Sequence, residues 1–194
     1  METQMTRRTS MTRGFTLIEM LITLVVLGIV VTFVRDKIDL AKFAVDSGMQ
    51  SVGTILQAAQ RQAVARQHNI IVAFDVANEA LRVVDDSNNS GTITPGEHVR
   101  VIPLPDKVVY GLGGATIMSG IPGPISFQKT MGSWPCVTFH RDGSASEAGG
   151  IYITSLRAAA GTGYPGDTRL IQTARASARV SFWRASPPNW VRSF

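Results

Sequence analysis

Arg13-Gly14-Phe15-Thr16-Leu17-Ile18-Glu19 opens the stretch that decides the fold, for it runs straight into MLITLVVLGIVVTFV and leaves Glu19 the one charged residue between Phe15 and Val34. Twenty residues in a helix rise roughly 30 Å, the thickness of a bilayer's hydrocarbon core. Residues 15–34 therefore read as a transmembrane helix. Arg7, Arg8 and Arg13 precede it, while Arg35, Asp36, Lys37 and Asp39 balance one another after it. The positive excess keeps the N-terminal end in the cytoplasm and sends everything after Val34 outward. No A-x-A site follows the run, so the usual signal peptidase is not the expected processor.

Two residues at the junction carry chemistry. Gly14, with no side chain, stands directly before the apolar run. Glu19 sets a carboxylate in apolar surroundings, which costs roughly 2.5–3.5 kcal/mol at a helix centre and commonly marks function. It stands one turn, roughly 6 Å, from Phe15, so snorkelling to the interface is the plain alternative. The free N–H groups and positive dipole end of a first helical turn also suit a carboxylate there.

The remaining chain supports one modest core: it has 194 residues, 44% of them hydrophobic, and a net charge of +5. The basic excess lies partly before Phe15 and partly after Gly150, where Arg157, Arg169, Arg175, Arg179, Arg184 and Arg192 face one acid, Asp167. Cys136 is the lone cysteine, so no intrachain disulfide can form. From residue 35 to 67, Ile38, Ala41, Val45, Met49, Val52, Leu56, Ala59 and Ala63 recur at three- and four-residue spacing, predicting an amphipathic helix. No proline occurs before Pro95, so a single helix of about fifty residues, roughly 75 Å long, is expected, with Gly28, Gly48 and Gly53 as points where it bends. Residues 68–194 then alternate in short apolar runs bounded by Gly, Pro, Asn and Asp. Strands are expected at 70–74, 81–84, 99–102, 107–110, 125–127, 136–139, 150–154, 170–173 and 179–183. The order predicts an α+β fold with a long helix packed on antiparallel sheet.

The block Gly14-Phe15-Thr16-Leu17-Ile18-Glu19 resembles the head of type IV prepilins. The resemblance implies a pilin-like fold and a leader, residues 1–14, removed by prepilin peptidase between Gly14 and Phe15. It also implies N-methylation of Phe15 and pairing of Glu19 with the N-terminal amine of a neighbouring subunit during assembly. Later blocks, residues 56–66, 86–91 with Gly96-Glu97, and 139–146, resemble the minor pseudopilin H and FimT/FimU group. That implies a minor pseudopilin of a type II secretion system, single-pass in the bacterial inner membrane with a periplasmic C-terminal domain. Its partners would be other pseudopilins or minor pilins, the inner-membrane assembly platform and the lipid bilayer. A FimT/FimU-type minor pilin priming type IV pilus assembly is the alternative, as is a DNA-binding minor pilin in natural transformation. The chain departs from many major pilins in lacking a kinking proline early in the helix and a C-terminal cysteine pair. The group's Gly-Arg signature stands here as Ala178-Arg179.

Residues 86–97 have the spacing of an EF-hand calcium loop, with oxygen-bearing Asp86, Asn88 and Ser90, Gly91 sixth and Glu97 twelfth, but Asn-Ser-Gly equally suits a plain turn. The C-terminal arginines could meet nucleic-acid phosphates, although a solvated strand face is the simpler reading. His68, His98 and His140 are scattered, and no phosphate loop or zinc spacing occurs. No enzyme activity, cofactor or metal is expected.

Overall fold

A computed structural model of the chain describes residues 15–35, 39–161 and 163–193, in two compact units that divide between Asp39 and Leu40. In the first, helix α1 spans Leu17–Arg35. Its large apolar side chains are exposed on all sides, from 52% at Ile29 to 85% at Leu17. A helix apolar all round is made for apolar surroundings rather than water. Thr23 and Thr32 hide their hydroxyls by donating to the carbonyls of Met20 (2.9 Å) and Gly28 (2.8 Å). Among the described residues no helix is long and apolar enough to cross a membrane. α1 starts two residues into the apolar run and includes Glu19 and Arg35. Its 19 residues rise about 28 Å, just short of the roughly 30 Å hydrocarbon core.

The single long helix expected from the sequence is corrected. α1 ends at Arg35, Asp39 is non-helical and α2 runs Leu40–Arg66; residues 36–38 lie outside the described residues. Aspartate is a favoured residue directly before a helix, where its carboxylate can meet free N–H groups of the first turn. A fresh start at Leu40 is thus locally encoded.

In the second unit the apolar stripe of α2 is the centre of the core. Val45, Met49, Val52, Leu56, Ala59 and Ala63 are each at most 1% exposed. They cluster with side chains from two antiparallel five-stranded sheets. The first sheet has the order β3 (Val99–Pro103), β2 (Ala80–Asp86), β1 (Asn69–Asp75), β6 (Trp134–Phe139), β5 (Thr130–Met131). The second has the order β10 (Asn189–Arg192), β9 (Val180–Ser186), β8 (Arg169–Thr173), β7 (Gly149–Ser155), β4 (Val108–Tyr110). Register places Val72 across from Val83 and Val137, and Ile171 across from Ile151 and Phe182, so each face stacks apolar rows. The fold is α+β, as expected. The predicted strand at 125–127 is absent: Ile125 makes one bridge to Ile151, and Ser126 exchanges bonds with Gly150. β5, β10 and the one-turn helix α3 (Leu156–Ala159) were not anticipated.

Two of the three glycines read as bending points serve close packing instead. A methyl on Gly53 would lie 2.2 Å from Cε1 of Phe182, and one on Gly48 would lie 3.2 Å from Cγ1 of Val108. Their bare backbones let sheet residues rest against the helix. Charged groups reinforce the packing: Arg169, 3% exposed, donates Nε to Asp46 Oδ1 on α2 at 2.6 Å and Nη1 to the carbonyls of Gly166 and Thr168. A buried guanidinium is tolerated because its donors are met.

Candidate assembly site

Phe15 and Thr16 precede α1 in non-helical conformation, and Phe15 is 76% exposed. Gly14, the expected cleavage residue, lies outside the described residues. The Thr16 hydroxyl and carbonyl both accept the N–H of Glu19, at 3.3 and 3.1 Å, and the carbonyl also accepts that of Met20 at 3.2 Å. Thr16 thereby opens the helix and fixes Glu19 in its first turn. The Glu19 side chain is exposed, and among the described residues nothing bonds its carboxylate. Around it stand Ile18, Met20, Leu21 and Ile22, each more than half exposed. An acid ringed by apolar side chains carries a cost of charge when that surface leaves water, and pairing with a cation removes it.

Residues 9–34 match the family model of the prokaryotic N-terminal methylation motif. The match takes in the junction and the apolar run, and points to an N-terminus of the type IV pilin-like kind. No curated protein and no solved structure matches the chain.

The other residues singled out in the sequence fall elsewhere. The fully buried Asp86, last residue of β2, accepts the N–H groups of Ser90 (2.8 Å) and Gly91 (2.9 Å) in the loop that follows. Asn88 donates Nδ2 to Thr94 Oγ1 (2.9 Å), and Glu97 accepts the N–H of Thr94 (2.8 Å). These are the bonds of a self-closed turn. Among the described residues no group of three or more His, Cys, Asp or Glu is placed to hold a metal.

Two of the histidines that the sequence scatters come together at Asp85, His68 through antiparallel pairing of β1 with β2 and His98 through pairing of β2 with β3. Asp85 binds both Arg66 and His68, and with His98 and Arg100 it lines a cavity of about 430 Å³. His140 bonds Asn69 at 3.0 Å instead. The C-terminal arginines are divided. Arg157 pairs with Asp167 (2.7 Å), while Arg169 and Arg184 share Asp46 (2.6 and 3.4 Å); Arg175, Arg179 and Arg192 are exposed. Ala178, fully buried at φ 47, occupies the left-handed region that favours glycine, the residue its Gly-Arg-like position suggests.

Proposed function

We propose that the chain is a prepilin cut between Gly14 and Phe15, methylated on Phe15, anchored by residues 15–34 and drawn into an envelope filament through Glu19. The supporting observation is the match to the N-terminal methylation motif over residues 9–34. Within it stands one carboxylate on a helix that is apolar on every side. Phe15 and Thr16, which extend the apolar run ahead of α1, make up the short distance by which its 19 residues fall below the hydrocarbon thickness. In this reading Glu19 receives the α-amine of the adjoining subunit, an ion pair strengthened by the apolar surface around it.

The finer role is that of a minor pseudopilin of a type II secretion system, supported by the sequence blocks at 56–66, 86–91 and 139–146. A minor pilin priming type IV pilus assembly is the second reading, and a DNA-binding minor pilin is the weaker third, since half of the C-terminal arginines are tied to carboxylates. Deleting the gene separates them. Export of secreted proteins should fail while pili persist; lost pili with intact export transfers the role to the second reading, and lost transformation alone to the third. Glu19→Ala should leave cleavage and membrane retention intact yet remove the protein from sheared, cross-linked filaments. Parental amounts in the filament would end the role given to Glu19.

A further inference from the structure

The first turn of α2 exposes two large apolar side chains, Leu40 at 72% and Phe43 at 71%. Three residues apart, they share a helix face. That face points away from the core stripe of Val45, Met49 and Val52, and farther along it becomes polar, with Ser47, Gln50, Thr54 and Arg61 exposed. Next to Leu40, Ala41 lines a cleft of about 460 Å³ with Lys107, Ser155, Leu156, Arg157 and Ala160. Leu156, on α3, is itself 58% exposed. Leu40 and Phe43 on one face of α2, and Leu156 across the cleft from Ala41, are thus separate exposed apolar side chains at the same end of the second unit, with Lys42 and Lys107 exposed near them.

The covalent chain says what lies near these side chains. Leu40 follows Val34, the end of the apolar run, by six residues, so its Cα is within roughly 21 Å of that end whatever path the chain takes. Apolar side chains bordered by lysines are the makings of a surface that settles into the boundary between headgroups and acyl chains. We propose that Leu40, Phe43 and Leu156 form a second, interfacial membrane contact, which holds the outer unit down on the bilayer until assembly lifts it off. This rests on residues 15–34 serving as the anchor.

The test uses the full chain in vesicles of phosphatidylethanolamine and phosphatidylglycerol whose acyl chains carry bromine, a short-range fluorescence quencher. Cys136 is 1% exposed, so an introduced cysteine is the accessible thiol for a bimane label. Four single variants are labelled: Leu24→Cys in the anchor, Phe43→Cys and Leu156→Cys at the proposed contact, and Thr54→Cys on the polar continuation of the same helix face. The labels at 24, 43 and 156 should lose most of their fluorescence while that at 54 keeps its own. Quenching at 24 without quenching at 43 and 156 overturns the interfacial contact and leaves the anchor standing. No quenching at 24 overturns the anchor and the contact with it. Unquenched labels at 43 and 156 whose emission shifts to the blue only as protein density in the membrane rises would make a second copy the occupant, again overturning the proposal.

Discussion

In the proposed function, single residues carry the maturation chemistry. A bulky side chain at position 14 would block the extended backbone that a peptidase must grip, so Gly14→Trp should accumulate as the full-length precursor, seen as a slower band in membrane fractions. Normal maturation would contradict the cleavage assignment. Asp75 supplies a separate residue-scale prediction, about stability. Asn78 donates its side-chain amide to the fully buried carboxylate at 2.9 and 3.0 Å, and Arg82 donates at 2.8 and 2.9 Å. Those hydrogen bonds, Asn78's foremost, hold its pKa below the ordinary 3.8. A carboxylate with a depressed folded-state pKa contributes stability that is fully present above its unfolded value and is lost as pH falls through the lowered one. Urea unfolding at a series of pH values should therefore show a smaller fall in stability from about pH 4 to pH 2 in Asp75→Asn than in the parent. Equal falls would show that Asp75 does not set the acid limb.

At the scale of elements, glycines that look alike in the sequence behave differently. Gly53→Ala drives a methyl into the Phe182 ring and should cost about 1–3 kcal/mol in chemical denaturation. Gly28→Ala, with nothing within 4 Å of the added methyl, should leave unfolding of the second unit unchanged. A stable Gly53→Ala protein would mean that β9 can move off the helix. The α2 stripe was legible because its apolar residues keep a strict three- and four-residue spacing. Most strands were legible because Gly, Pro, Asn and Asp bound them. The role of Gly53 was not, since Phe182 meets it only once β9 has been placed. β10 escaped notice because its four residues follow Pro187-Pro188, a pair that reads as an end to regular structure rather than as the hairpin turn it makes. Ile125–Phe127 has the composition of a strand, but its pairing with β7 stops at the single bridge from Ile125 to Ile151, because the Ser126 hydroxyl takes the N–H of Gly150, 24 residues away, that a ladder would use. The helix start at Leu40 was hidden by reading the absence of proline as continuity, when aspartate before a helix is itself a start signal.

For the whole molecule, the candidate site was more legible than the fold around it. A lone acid in an apolar run stands out without any tertiary knowledge, whereas the meeting of His68 and His98 at Asp85 depends on strand pairing that local patterns do not specify. The molecule combines an apolar helix that water does not suit with a second unit whose core is complete in itself. That pairing supports the proposed anchoring in a membrane and use in a filament. The proposed function requires that the chain be cut between Gly14 and Phe15. Mass spectrometry of the N-terminal peptide of protein extracted from the cell envelope tests it most directly. The peptide should begin at Phe15 and carry one added methyl group, whereas a peptide that retains residues 1–14, or begins anywhere else, would contradict the account.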